Sequence, residues 1–337
     1  MNSKFSEKLA NAVQNNQAFV LFRKPNEAAV YLYVQDYSQS NRFLMHSFDS
    51  KTKKIISDEN PAFISSEEFQ FDFQLNLNSA PEFLPKKQKE YEELIQKTIE
   101  TIQNSSIQKI VISRIKQIEN KEFSLFKSYK NLLGNHPGAL VYLWQNPGQE
   151  TWLGATPELL LSQNEDQIKT VSLAGTKLPE KTWTEKELDE QKIVTDFILT
   201  NLSGVLNLQL KGPETVPAGK FQHLKTYISA EIPKDFDLDN LLKKLHPTPA
   251  VCGLPKKEAF DFILENEGYD RGFYAGYLGI DSPRRTKEYF VNLRSAEFFQ
   301  NQVRIYVGGG VTAESNPQKE WEETELKSGT VGNSLTQ

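Results

Sequence analysis

Cysteine and histidine are scarce in this chain of 337 residues, which contains one Cys and four His. The single cysteine, Cys252, excludes an internal disulfide and a cysteine-rich zinc site. With four histidines in the chain, a metal site built mainly from His is not expected. If a metal is bound, we therefore expect the abundant carboxylates to be its ligands.

The chain also lacks an excess of basic charge and long apolar runs. It has 39 Lys and Arg against 44 Asp and Glu, a formal net charge of −5, whereas a general nucleic-acid or anionic-membrane binder needs a basic surface. No stretch approaches the roughly 18 apolar residues that cross a bilayer. The start, MNSKFSEKLANAVQ, carries charges where a signal peptide has its apolar core. We expect a cytoplasmic protein that binds neither nucleic acid nor membrane.

Length alone suggests about two domains, at roughly 150 residues each. However, no linker, low-complexity tract or repeat divides the chain. Strands joined by hairpin-length turns outnumber the helices, which favours antiparallel sheets with helices packed outside over a doubly wound parallel sheet. The patterns predict helices over 4–15, 85–105 and 184–202, and a last helix starting after Ser315-Asn316-Pro317. They predict strands over 18–23, 28–34, 108–115, 139–145, 151–155, 168–173, 227–231, 272–279, 288–298 and 302–307, while residues 40–84 resist assignment.

Two predicted helices each present a pair of carboxylates. Glu187 and Glu190 are three residues apart, as are Glu320 and Glu323, and Lys327 follows one turn after Glu323. Four carboxylates brought together by two helices could surround a hard cation such as Mg²⁺. The same spacing is also typical of solvated helix faces with i,i+4 ion pairs, so the spacing leaves both interpretations open.

Single positions offer further candidates with ordinary alternatives. The run Gly308–Gly310 after a predicted strand could bind an anion through its N–H groups, or form a tight turn. Lys109, on a predicted strand, could act as a base if burial lowers its pKa, or point to solvent. Glu158 follows a strand and a proline, and could simply be a carboxylate at a helix start. Arg294, within an apolar segment, could clamp a carboxylate or form a structural ion pair.

Nine segments, taken in order, resemble the chorismate-utilising enzymes, which include isochorismate, salicylate, anthranilate and aminodeoxychorismate synthases. The segments are KIVISR (109–114), GATPELLL (154–161), LAGT (173–176), KELDE (186–190), HPTPAVCG (246–253), YDRGFYAG (269–276), NLRSAE (292–297), YVGGGV (306–311) and SNPQKEWEETELK (315–327). The chain is most similar to the isochorismate synthases of this family.

The resemblance implies an α+β fold in one large domain, residues 1–337, with two packed, mainly antiparallel β-sheets flanked by helices. The motifs cover about residues 85–335, the catalytic part. Residues 1–84 carry little of the resemblance and form a variable N-terminal part. The resemblance also implies a monomer.

The resemblance further assigns roles to individual positions. Lys109 matches the family's general base and Glu158 its general acid. Glu190 and Glu323 match Mg²⁺ ligands, with Glu187 and Glu320 as neighbours in the same motifs. The matched substrate-binding positions are Gly175 and Thr176 for the ring carboxylate, His223 beside the ring, Arg294, Tyr306 and Gly308 around the enolpyruvyl group, and Lys327 near the metal carboxylates.

These roles imply Mg²⁺-dependent isomerisation of chorismate, in which water adds at ring C2 while the C4 hydroxyl leaves. Lys109 points to water as the nucleophile, because anthranilate synthases, which use ammonia, lack this lysine. Ala250 stands where salicylate and anthranilate synthases usually have Thr, which favours a reaction that stops at isochorismate. Gln191 departs from the family, which often has His there. Menaquinone biosynthesis is the expected use, with siderophore biosynthesis as the other. The alternatives are a salicylate synthase that also eliminates pyruvate, and a non-catalytic anion-binding relative.

Overall fold

The computed structural model describes residues 3–218, 221–283 and 286–337. Helices and strands alternate irregularly along these residues. The helices are α1 (Ser3–Gln14), α2 (Gln88–Gln103), α3 (Leu125–Asn135), α4 (Glu185–Asn201), α5 (Leu238–Leu245), α6 (Lys256–Asn266) and α7 (Pro317–Gly332). The strands are β1 (Phe19–Arg23), β2 (Ala29–Val34), β3 (Asn41–His46), β4 (Lys53–Asp58), β5 (Ala62–Ser65), β6 (Lys109–Glu119), β7 (Leu140–Asn146), β8 (Glu150–Thr156), β9 (Leu159–Asn164), β10 (Gln167–Lys177), β11 (Leu206–Ala218), β12 (Phe221–Glu231), β13 (Gly253–Leu254), β14 (Tyr277–Asp281), β15 (Thr286–Val291), β16 (Ser295–Phe298) and β17 (Gln302–Val311).

The strands form two sheets. One has nine strands in the order β13-β6-β17-β16-β8-β7-β1-β2-β5, and the other has eight in the order β11-β12-β10-β9-β15-β14-β3-β4. Each described pairing is antiparallel. The predicted fold class, α+β with two packed antiparallel sheets and flanking helices, is confirmed. No helix within the described ranges is long and apolar enough to cross a membrane.

The nine-stranded sheet has an apolar core on each face, because successive strand residues point to opposite sides. On β1, Phe22 faces the other sheet, where its ring lies 5.2 Å from that of Phe43 in β3. The neighbouring residue Leu21 belongs to the outer core, which packs under α1 and α3. The inner core lies between the sheets and continues under α2, α4, α5 and α6.

Residues 1–84 are built into both sheets. β1 pairs with β7 in the nine-stranded sheet, and β3 pairs with β14 in the eight-stranded sheet. The segment 40–84, which the sequence pattern does not assign, contains β3, β4 and β5. The boundary between a variable N-terminal part and a catalytic part stays a prediction.

The predicted strand over 288–298 is wrong, because two strands in different sheets share this segment. β15 ends at Val291 in the eight-stranded sheet, and β16 begins at Ser295 in the nine-stranded sheet. Arg294 lies in the crossing between them with φ of 51°. Its side chain therefore stands where the chain passes from one sheet to the other. The strand predicted over 272–279 is shorter in the structure, where β14 spans only Tyr277–Asp281.

The glycine run neither ends its strand nor forms a turn. β17 continues through Gly308–Gly310 to Val311, and the three glycines pair with Ser113, Ile112 and Val111 of β6. Glycine weakens a strand by its conformational entropy, but the ladder with β6 holds the backbone extended here. The missing side chains leave space on β17, which charged groups of the candidate site occupy.

Candidate active site

Lys109 is the first residue of β6, and its side chain crosses the strand next to it. A Cβ atom at Gly310 would lie 2.5 Å from Cε and 3.1 Å from Nζ of Lys109, so only glycine leaves this path open. Burial lowers the pKa of Lys109, the charge of Lys327 lowers it further, and the negative charge of Glu190 opposes both. The structure thus favours the neutral amine more than water does.

Glu158 lies in the short connection between β8 and β9. Its backbone carbonyl accepts a hydrogen bond from Val291 N at 2.9 Å, and its N–H donates to Thr156 Oγ1 at 3.3 Å. Burial raises the pKa of Glu158 to about 7, although the positive charges of Lys109 and Arg294 oppose the shift. A carboxyl group with this pKa can hold and donate a proton at neutral pH.

Glu320 and Glu323, in the first turns of α7, place their carboxylates against the glycine run. A Cβ atom at Gly309 would lie 2.7 Å from Oε2 of Glu320 and 3.8 Å from Oε1 of Glu323. Ser315 Oγ donates to Glu320 Oε1 at 2.8 Å. Burial raises the pKa of Glu320, and the negative charge of Glu323 raises it further. The two carboxylates repel each other at this place.

Lys327 lies one turn along α7 from Glu323, as the spacing predicts. Its Nζ is 2.5 Å from Glu323 Oε1 and donates to the carbonyl of Gly308 at 2.9 Å. These contacts connect α7 to β17 and place a cation beside the carboxylate pair.

The other acidic motif begins α4. Glu187 caps this helix, because its Oε2 accepts a hydrogen bond from Thr184 N at 2.9 Å and another from Thr184 Oγ1. Glu190 lies about one turn further along α4, and both its charge and that of Glu323 act on Lys109. The structure therefore brings the acidic motifs of α4 and α7 to the same lysine. Within the described ranges, however, no group of three or more His, Cys, Asp and Glu side chains stands arranged to hold a metal ion.

Gly175 forms a bulge of β10 against the first turn of α4. Its φ is 68°, and a Cβ atom here would lie 3.0 Å from the carbonyl oxygen of Glu187. His223 of β12 hydrogen-bonds through Nδ1 to the carbonyl of Gly175 at 2.9 Å. Glycine is thus required both by the backbone angle and by the close approach. The side chain of Thr176, the next residue, lies outside the described part of the structure.

Arg294 and Tyr306 form hydrogen bonds with different parts of the protein. Arg294 donates from Nη1 to Thr330 Oγ1 at 3.1 Å, and the charges of Glu158 and Glu323 act on it. Tyr306 donates its hydroxyl hydrogen to Glu297 Oε2 at 3.1 Å, so this hydroxyl is already engaged. The predicted contacts of both residues with a substrate stay predictions.

Tyr274 joins the candidate site although sequence reasoning did not single it out. Its ring stacks on Tyr306 with centroids 5.4 Å apart, and its phenol interacts electrostatically with both Arg294 and Glu158. Burial raises the pKa of Tyr274 to about 12, so its hydroxyl stays a donor at neutral pH. The only signal was its place in the YDRGFYAG segment, which does not reveal what the side chain contacts.

Ala250 lies in the loop before β13 and lines one cavity together with Glu158. A buried ion pair holds this loop: Arg271 donates to Val251 O at 2.9 Å and to Val111 O at 2.7 Å, and its Nε donates to Glu267 Oε2 at 2.8 Å. One guanidinium therefore connects the Ala250 loop to the strand that begins with Lys109. Sequence reasoning also missed this connection.

Most of the chain, including the segments that carry these residues, matches one protein family. The model of the family described as "Chorismate binding enzyme" matches residues 27–336. The chain belongs to the chorismate-binding enzyme family. Its relatives include the isochorismate synthase MenF of Haemophilus influenzae, 34% identical over 244 residues, which cover 67% of this chain and 56% of that protein. The isochorismate synthase DhbC of Bacillus subtilis is 30% identical over 262 residues, covering 71% of this chain and 65% of DhbC. The chain thus spans less than two thirds of the length of these relatives.

Solved structures share the fold. MenF of Escherichia coli, a menaquinone-specific isochorismate synthase, superposes with a TM-score of 0.81 at 20% identity, covering 95% of this chain and 89% of MenF. Anthranilate synthase component I of Streptococcus pneumoniae gives a TM-score of 0.74 at 18% identity, covering 93% of this chain and 92% of that one. The chain therefore shares its fold with an isochorismate synthase and with an anthranilate synthase component.

Proposed function

We propose that this protein is an isochorismate synthase, an isomerase that converts chorismate to isochorismate. The observation that carries the proposal is the electrostatic interaction between a lysine whose pKa is lowered, Lys109, and a carboxyl whose pKa is raised, Glu158. The charge of each group acts on the pKa of the other, and this interaction supports a role for both with one substrate. Two isochorismate synthases among the relatives support this choice.

The chain's own residues can carry the proposed reaction. Neutral Lys109 accepts a proton from the water that attacks ring C2, and protonated Glu158 donates its proton to the departing C4 hydroxyl. Chorismate is a dianion, so Arg294 and Lys327 supply the positive charge that an acidic protein otherwise lacks. Tyr274 interacts electrostatically with both Arg294 and Glu158, and its hydroxyl can donate a hydrogen bond to the substrate.

We also propose that the two acidic motifs hold Mg²⁺. Carboxylate oxygens are suitable ligands for this ion. A divalent cation would also offset the repulsion between the negative charges of Glu320 and Glu323. Glu190, which acts on the same lysine as Glu323, would be the ligand from α4, with Glu187 as its neighbour. When bound, the ion would supply positive charge for the ring carboxylate of chorismate.

The neighbouring substrate contacts belong to the same proposal. Gly175, Thr176 and His223 would bind near the ring carboxylate, while Tyr306 and Gly308 would border the enolpyruvyl group. We propose a cytoplasmic monomer that functions in menaquinone biosynthesis. The fold shared with the menaquinone-specific MenF of E. coli supports the pathway. Siderophore biosynthesis is the alternative use.

The test is incubation of the purified protein with chorismate and Mg²⁺. Isochorismate is measured by chromatography, and pyruvate by its reduction with lactate dehydrogenase. Isochorismate without pyruvate supports the proposal, whereas salicylate with pyruvate makes the protein a salicylate synthase. Absence of turnover with or without metal refutes both and favours an anion-binding relative. Activity that EDTA removes and Mg²⁺ restores supports the metal, and activity unaffected by EDTA refutes it.

A further inference from the structure

A cavity adjoins Glu158 on the side of the inner core. Besides Glu158, the residues around it include Leu160, Val194, Leu245, Thr248 and Ala250. It leaves about 20 Å³ for the centres of water molecules. A single water needs roughly 10–15 Å³ by this measure, together with at least two polar partners. The cavity therefore has room for about one water, provided that its walls offer hydrogen bonds.

Thr248 provides an unused hydroxyl at this cavity. Its side chain is 9% exposed, and its Oγ1 is buried without a hydrogen-bond partner among the described residues. A buried hydroxyl without a hydrogen-bond partner destabilises the folded protein. A second hydroxyl lining the cavity, on Thr170, donates to Leu160 O at 2.7 Å and needs nothing further. Of these two hydroxyls, the one that lacks a hydrogen-bond partner is that of Thr248.

The backbone holds Thr248 firmly in place. Its carbonyl accepts hydrogen bonds from Val251 N at 3.1 Å and Cys252 N at 2.9 Å, and Arg271 binds the carbonyl of Val251. The backbone of Thr248 is therefore held in place at the cavity, which Glu158 also lines. Two polar side chains beside a mostly apolar space can retain one water.

We infer that this cavity receives the water formed from the C4 hydroxyl, and that Thr248 and Glu158 bind it there. The inference rests on the proposed function. Glu158 gives its proton to the hydroxyl oxygen, and the C4–O electron pair leaves with that oxygen, which makes a water molecule. The attacking water bonds to C2 and gives a proton to Lys109, while both ring double bonds shift by one position. In the reverse direction, the retained water is the nucleophile at C4.

Two substitutions separate the hydroxyl from the shape of the side chain. Thr248→Val keeps the branched shape but removes the hydroxyl, whereas Thr248→Ser keeps the hydroxyl and loses the methyl group. Because one hydrogen bond to the departing water is lost, we expect Thr248→Val to lower kcat about tenfold in both directions. We expect the KM for chorismate to stay within about twofold in Thr248→Val, and Thr248→Ser to keep a kcat close to that of the parent.

The outcomes distinguish the inference from the proposed function. If the parent does not convert chorismate, the proposed function fails, whatever the cavity contains. If the parent converts chorismate and Thr248→Val keeps full kcat, or if both variants lose kcat equally, the role of the hydroxyl is overturned. A high-resolution crystal structure of the parent should show one water bonded to Thr248 Oγ1, and its absence from Thr248→Val crystals supports the site. A dry cavity in the parent overturns it.

Discussion

Replacing Glu158 with glutamine should stabilise the folded protein at alkaline pH and have much less effect at acidic pH. The reason is that burial raises the pKa of Glu158 from 4.5 to about 7. At pH 8 the folded protein must keep this carboxylate charged in a poorly solvated place, whereas the unfolded chain exposes it to water. Glutamine carries no charge in either state, so the variant avoids this cost.

The size and sign of the effect follow from proton linkage. Below pH 4.5 the carboxyl is protonated in both states, and its contribution to the free energy of unfolding is fully present. Between pH 4.5 and about 7 the unfolded chain loses the proton while the folded protein keeps it, so the free energy of unfolding falls as pH rises. Each pKa unit corresponds to about 1.36 kcal/mol, so the loss from this group amounts to about 3 kcal/mol by pH 8.

Urea unfolding followed by tryptophan fluorescence measures this difference at pH 5, 6, 7 and 8. The stability advantage of Glu158→Gln over the parent should grow across this range and level off near pH 8. Glu93→Gln, on the exposed face of α2, is the matched control for loss of a negative charge, and its difference from the parent should vary much less. A difference for Glu158→Gln that is the same at every pH would refute the raised pKa and, with it, the general-acid role.

Three further predictions concern the base, the glycine run and the buried ion pair. Lys109→Ala should lower kcat at least about 100-fold but leave chorismate binding by calorimetry largely intact, and full activity would exclude this base. Gly309→Ala should raise the Mg²⁺ concentration needed for half-maximal activity, because the new methyl group meets a carboxylate oxygen of α7 at 2.7 Å. Gly332→Ala should not, because its methyl group lies at an ordinary contact distance of 3.5 Å from Ile305 Cδ1. Equal Mg²⁺ dependence of the two variants would contradict this. Arg271→Met should cost about 3–5 kcal/mol in urea unfolding, because it leaves a buried carboxylate without its partner. Lys192→Met, which breaks an exposed ion pair of the same i,i+4 spacing, should change little, and an equal loss in both would contradict the argument.

Local rules in the sequence determined several elements correctly. The apolar stripe of residues 85–105 predicted α2, whose buried residues include Tyr91, Leu94 and Ile95. Asn316 and Pro317 predicted the start of α7, where the Asn316 side chain accepts from Lys319 N. Such features depend on neighbours within a few positions, so the sequence contains their full cause.

Other elements depend on partners far along the chain. The glycine run looks like the end of a strand, yet β6 holds it extended through its ladder of hydrogen bonds. The segment 288–298 looks like one strand, but the crossing at Arg294 divides it between two sheets. The sequence pattern did not predict the helices α3, α5 and α6.

The sequence by itself determined the family, through the order of its motifs, and with it the fold class and the residue types of the candidate site. Only the tertiary structure decided their electrostatic state. Lys109, Glu158, Glu190 and Glu323 belong to four separate parts of the chain, and a pKa depends on burial and on charges within a few ångströms. The same is true of Tyr274 and Thr248, because the site residues beside them, such as Tyr306 for Tyr274 and Glu158 for Thr248, lie far away in the sequence. The scarcity of Cys and His points to carboxylates as ligands, while the fold determines which carboxylates come together.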